Sequence, residues 1–204
     1  MSLDTVYHIS RIRCAGIAAQ RLLAPLREQT APAIGRTGGS VWGIFTGLLG
    51  LDTRELYLVT SWPAGAAPAP AVATALPAEA WIVDEREMVP TVRPLTPELM
   101  ALPGVYVFRW FEVHNRDIGE IAALSKEAWE TFENTDAYRA EPQALLRDAD
   151  TSAEQGTMLL VTWYDGLRSW ELSRTPAPEA RANFVKRAQL TLGALPIATR
   201  LVLD

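Results

Sequence analysis

The chain has 204 residues, 49% of them apolar and 21% charged, with a net charge of −5 and one cysteine. That length exceeds a typical domain of about 100 to 150 residues, and the composition is that of a folded chain rather than a disordered one. A negative balance argues against general affinity for nucleic acid or anionic membranes, and a lone Cys14 excludes an intrachain disulfide or a thiolate metal cage. The opening Met1-Ser2-Leu3-Asp4 has no basic or apolar leader pattern, and the longest apolar run, near Val41 to Leu51, is short of the roughly 20 residues a spanning helix needs. A soluble, cytoplasmic protein is expected, and the excess of Arg over Lys with abundant Ala and Pro fits a GC-rich bacterial genome.

Val6 to Arg13 alternates β-branched or aromatic residues with polar ones, the period of a half-buried strand. From Gly16 the spacing becomes helical, with Ile17, Arg21, Leu22 and Leu26 on one stripe through about Thr30 and Pro25 as a point of kinking. Gly35 to Gly39 breaks the chain. Val41 to Thr46 and Glu55 to Trp62 read as strands joined by Gly50-Leu51-Asp52-Thr53. Pro63 to Ala80, rich in Ala and Pro, is expected to be a loop with a short helix. Met88 to Pro94 is expected as a short closing strand, its prolines suiting an edge position. Leu95 to Gly104 then forms a boundary.

Past it, the pattern starts again. Tyr106 to Val113 reads as a strand, and Asp117 with Glu120 resembles a helix N-cap and its capping partner. Ile121, Leu124, Ala128 and Phe132 continue a helical stripe through Trp129. Tyr138 to Asp148 reads as a short helix or a weak strand, and Met158 to Tyr164 as a strand ended by Asp165-Gly166. Leu167 to Arg174 and Pro178 to Leu192 read as helices, and Ile197 to Leu203 as the last strand.

The halves echo one another. Thr5 to Arg13 matches Gly104 to Glu112, Leu56 to Trp62 matches Thr157 to Trp163, and Val89 to Arg93 matches Leu195 to Arg200. Repeats of this kind set the architecture. Each copy reads β-α-β-β-α-β, the ferredoxin-like motif with helices on one face of an antiparallel sheet. The expected fold is therefore α+β, with two tandem units, 1–98 and 99–204, whose sheets pack face to face as a pseudo-dimeric α/β barrel around a ligand space. A monomeric pseudo-dimer or a homo-oligomer would satisfy this pattern.

Val105 to Val113, the helix through Trp129, and Leu160 to Leu167 leading to Arg174 resemble the NIPSNAP family of the dimeric α/β-barrel superfamily, over about Gly104 to Val202. The resemblance implies a small-molecule pocket between sheets. In the wider superfamily it points to cofactor-free monooxygenases, haem-binding dismutases and peroxidases, or small isomerases. By the same resemblance Arg109 lies on the pocket side of its strand, which puts His8, Ser10 and Ile12 on the matching side of the first copy. There Ser10 stands where Arg109 does, and His8 where Val107 does.

Strand parity groups Val107, Arg109, Phe111 and Val113 on one face and Tyr106, Phe108, Trp110 and Glu112 on the other. An Arg between layers must meet a carboxylate or a ligand anion, so Arg109 is a ligand anchor or half of a structural ion pair. His8 is the candidate catalytic acid or base, because imidazole titrates near neutrality; the alternative is a sheet residue with internal hydrogen bonds. His114 reads as a loop residue. Trp42, Trp62, Trp110, Trp129, Trp163 and Trp170, with Phe45, Phe111 and Tyr164, supply core and aromatic pocket walls, and the ligand-binding set is drawn as Arg109, Ser10, Phe111, Trp42 and Trp163.

No metal site is expected, since no His or Cys pair has ligand spacing and Asp148-Ala149-Asp150 lacks the rest of a calcium loop. Gly35 to Ser40 lacks the Gly-Lys-Ser/Thr ending of a phosphate loop, and no Gly-x-Ser-x-Gly elbow is present. No cofactor is required by the residues. The expected partner is a small hydrophobic or aromatic molecule, taken by a cofactor-independent monooxygenase or isomerase, by a non-catalytic binding or scaffold protein, or by a haem-binding protein.

Overall fold

The computed structural model describes residues 5–16 and 18–203, so Ile17 of the expected helical stripe lies outside the described residues. The β-α-β-β-α-β order is present twice. The first run is β1 (Thr5–Cys14), a helical segment α1 over 19–36, β2 (Ser40–Leu49), β3 (Glu55–Pro63), α2 (Pro68–Ala75) and β4 (Ala80–Arg93). The second is β5 (Val105–His114), α3 (Ile118–Phe132), β6 (Ala140–Asp148), β7 (Gln155–Tyr164), the short α4 (Leu167–Leu172), α5 (Pro178–Gln189) and β8 (Thr191–Leu201). The fold is α+β, and its hydrogen-bonded strand order, β1-β3-β2-β8-β5-β7-β6-β4, closes as a barrel.

Two compact units share the chain: one runs up to Val89 and takes in Pro97–Ala101 and the end from Thr199, and the other holds Pro90–Thr96 and Leu102–Ala198. In the first, β1 pairs antiparallel with β3 on one side and β4 on the other, and β3 pairs with β2. Ile12, Leu22, Leu26, Ile34, Leu56 and Leu58, each fully buried, fuse the sheet to α1 in one apolar cluster that Val72 of α2 joins. Pro25 has no N–H to donate, and at it the helical segment changes from an α turn to a wider π turn over Leu26–Thr30. At the sheet's end Glu55, 5% exposed, accepts from Arg13 Nη2 at 2.6 Å and Nε at 3.0 Å.

In the second unit β7 lies between β5 and β6, both antiparallel to it. Helix α3 buries Ile121, Ser125, Ala128, Trp129 and Phe132. Ser125 can be buried because its hydroxyl donates to the Ile121 carbonyl at 2.7 Å, while Leu124 of the expected stripe is only half-buried. Helix α5 begins with Pro178, whose missing N–H costs nothing in a first turn, and ends with Lys186 and Arg187 near its negative pole.

Several boundaries differ from the sequence expectation. β4 is longer than Met88 to Pro94 and is not an edge: it pairs with β1 as far as Met88, and farther along Thr91 Oγ1 donates to Leu145 O of β6 at 2.7 Å. Within Tyr138 to Asp148, Ala140–Asp148 forms the strand β6. β8 starts at Thr191, six residues before the expected Ile197, because Gly193 and Pro196 are accommodated within the strand rather than breaking it. Asp117 occupies the N-cap position of α3 but makes no side-chain cap bond.

Candidate functional site

The second unit holds a cavity of about 400 Å³ between its sheet and its helices. Register explains the floor. Val107 pairs with Thr162, Arg109 with Leu160, and Val105 with Tyr164, and the pleat of each strand sends Val107, Arg109 and Phe111 to the same face as Leu160, Thr162 and Tyr164. Helix α3 adds Trp129 and Phe132, helix α5 adds Arg181, Phe184 and Arg187, and the turn after α4 adds Ser173 and Arg174. The pocket thus lies on the helix-covered face of this sheet. The sequence pattern sets the helices on one face and the pocket on the other, whereas in the structure one face of this sheet carries both.

Five aromatic rings, from Phe111, Trp129, Phe132, Tyr164 and Phe184, wall the cavity. Its size is within the range of about 300 to 1,000 Å³ usual for small-molecule sites. The charged groups are all cationic: Arg109, Arg174, Arg181 and Arg187 line it, and no Asp or Glu does.

Arg109 has no ion-pair or hydrogen-bond partner among the described residues. Burial lowers its pKa, the Tyr164 phenol opposes this, and Arg174 adds to it. Arg187 is 5% exposed. Its Nη1 donates to Ser125 Oγ at 3.2 Å, and its guanidinium lies 5.2 Å from the Phe111 ring centre and 4.7 Å from that of Phe184. Burial, then the neighbouring Arg109 charge, pull it down to about 10. Burial holds the Tyr164 phenol neutral, against the opposing pull of Ser173, Arg109, Thr162 and Arg174. The arrangement supplies hydrogen-bond donors and positive charge to an apolar chamber, which can hold an anion or stabilise developing negative charge.

The first unit treats the same strand differently. Ser10, fully buried, bonds through its hydroxyl to His8 Nδ1 at 2.9 Å. His8 Nε2 is 3.2 Å from Glu85 Oε2 without hydrogen-bond geometry. Burial pushes His8 below the ordinary imidazole range, against the raising effect of Glu85 and Glu87. Trp42 packs edge-on against Tyr7, ring centres 5.2 Å apart.

Of the sequence candidates, Arg109 and Phe111 meet in the cavity, while His8, Ser10 and Trp42 belong to the first unit and its own packing. Trp163 lines no part of this cavity; it is on the other face of β7, where its Nε1 donates to Pro103 O at 3.0 Å. Tyr164, one residue on, has the right parity. Arg187 and Phe184 were missed, although α5 buries Ala180, Asn183 and Arg187 at helical spacing, so two polar residues on its inward stripe marked them.

The residues do not fit a haem. No His, Cys or Met lines the cavity, burial disfavours the phenolate that Tyr164 would need as an axial ligand, and both ring nitrogens of His8 face protein groups. His114 Nδ1 is 3.7 Å from Glu154. Among the described residues no cluster of three or more His, Cys, Asp or Glu could hold a metal ion, and no helix is long and apolar enough to cross a membrane.

No protein-family model matches the sequence, and no curated protein does. Solved structures do match. A chlorite dismutase variant from Candidatus Nitrospira defluvii superposes with a TM-score of 0.65 at 8% identity, over 100% of this chain and 93% of the other. An anthrone oxidase-like protein gives 0.59 at 12%, covering 98% and 92%. An uncharacterized ferredoxin-fold protein related to antibiotic biosynthesis monooxygenases, from Listeria monocytogenes, gives 0.51 at 12%, covering 99% and 98%. At these identities the likeness shows the fold, that of ferredoxin-fold and dimeric α/β-barrel proteins, and leaves the chemistry to the residues.

Proposed function

We propose that the protein binds a small, largely aromatic molecule in the cavity of its second unit and oxidises it with molecular oxygen, without a cofactor. The observation that carries the binding is the aromatic-walled chamber itself, with Arg109 and Phe111 on its floor. Support for the chemistry comes from neighbours described as an anthrone oxidase-like protein and a relative of antibiotic biosynthesis monooxygenases. In such a reaction an activated CH₂ of the substrate loses a proton and the resulting carbanion reduces O₂. Loss of water from the hydroperoxide leaves a carbonyl, so that R₂CH₂ and O₂ give R₂C=O and H₂O. Arg109 would hold the oxyanion into which the carbanion delocalises. The NIPSNAP-like kinship belongs to the same reading.

A non-catalytic binding protein is the second reading, favoured by one observation: the cavity's ionisable lining is four arginines and a tyrosine held neutral by burial, with no carboxylate or imidazole to take the proton. Thermal-shift titration with 1,8-dihydroxyanthrone, followed by oxygen-electrode measurement, separates the two. Stabilisation with one O₂ consumed per substrate, the uptake being lost in Arg109→Gln, supports the oxygenase. Stabilisation with no uptake above the uncatalysed rate leaves a binding protein, and no stabilisation by anthrones, quinols or naphthalenes overturns both.

A further inference from the structure

We propose that the natural ligand of this cavity is an aromatic acid, its anionic group shared by Arg109 and Arg187 and its rings lying against Phe111 and Phe184. This rests on the cavity being a binding site and adds the charge of what it takes.

The cavity holds unmatched positive charge. The protein carries a net charge of −5, and elsewhere three of its arginines sit against acids: Arg13 has Glu55 at 2.6 Å, Arg54 has Asp52 at 3.0 Å, and Arg93 has Glu133. In the cavity it assembles four guanidiniums and no carboxylate. Arg187 is placed on the buried stripe of α5 and engages one hydroxyl, Ser125, and two ring faces. Arg109 engages no protein partner among the described residues. The two charges act on one another, so each makes the other's burial costlier. A bound anion relieves both at once, and the planar guanidinium presents paired donors suited to a carboxylate, phosphate or sulfonate. Arg174 and Arg181 are exposed at the cavity lining, where they raise the local concentration of an incoming anion. The volume suits two or three fused rings.

The test is a matched pair: calorimetric titration of 2-naphthoate and of its neutral isostere 2-naphthamide. The acid is expected to bind about tenfold tighter or more, the scale of a charge-assisted hydrogen bond, with affinity falling as salt is raised. Arg109→Gln should abolish the acid's advantage over 2-naphthamide, and Arg109→Lys should restore part of it. 2-Naphthyl phosphate and 2-naphthalenesulfonate, run in parallel, rank the anionic group. Equal binding of acid and amide overturns the inference while the cavity reading survives. Binding of neither overturns both.

Discussion

Ser10 and Arg109 stand at one point of a duplicated sheet: Ser10 pairs across to Leu58 of β3, and Arg109 pairs across to Leu160 of β7. The same position is a closed hydrogen bond in one copy, Ser10 to His8 at 2.9 Å, and an unpaired cation facing a cavity in the other. The unit with Ser10 fuses sheet and helix through an apolar cluster. The unit with Arg109 gives up that packing for a chamber.

A cation kept without a protein partner burdens the empty protein. Arg109→Leu is expected to stabilise the unliganded chain by about 1 to 2 kcal/mol, since a desolvated charge is exchanged for apolar packing, while weakening binding of aromatic acids about tenfold or more. Urea denaturation with and without 2-naphthoate measures both. Loss of stability in the empty variant would mean that Arg109 is already satisfied.

His8 makes stability depend on pH. Its folded pKa is below the unfolded value of about 6.5 because burial outweighs Glu85 and Glu87, so near pH 6 the unfolded chain binds more protons. The stability contributed by neutral His8 is therefore fully present above about pH 6.5 and is lost as pH falls through the lower folded pKa. Denaturation midpoints from pH 7.5 to 5 should show this slope in the wild type and a flatter one in His8→Gln. Parallel slopes would assign the effect to other groups.

Glu55 anchors the end of β3 through Arg13 and is almost fully buried. Glu55→Gln should cost about 1 to 3 kcal/mol, because the amide pairs poorly with a guanidinium oriented for a carboxylate. Chemical denaturation measures it, and a cost below about 0.5 kcal/mol would show that solvent screens the pair.

Gly104 joins the linker to β5 with φ of +151°. A Cβ there would come within 2.6 Å of Trp163 Nε1 and closer still to the Tyr164 carbonyl, so Gly104→Ala should destabilise by more than about 1 kcal/mol and displace β7 where Tyr164 borders the cavity. Weaker aromatic binding together with a lower melting temperature is expected; an unchanged midpoint would contradict the strained geometry.

The duplication makes the repeated element order legible, but the echo of Trp62 by Trp163 is one residue out of register: Val6 pairs with Trp62, whereas its counterpart Val105 pairs with Tyr164. Parity likewise grouped Arg109 with Phe111. Parity states which residues share a face, however, and not what covers that face, so the helix-side cavity escaped it. Trp163 stands in the expected ligand-binding set and Tyr164 does not, although the pairing of Val105 with Tyr164 gives the tyrosine the parity of Arg109. β8 runs through Gly193 and Pro196, whose turn propensities its neighbours in the sheet override.

A crystal structure of the protein with 2-naphthoate shows directly where an aromatic acid sits. It should show the carboxylate within hydrogen-bonding distance of Arg109 and Arg187 and the rings between Phe111 and Phe184. Naphthoate seated away from this cavity, or a cavity empty at saturating ligand, would contradict this placement.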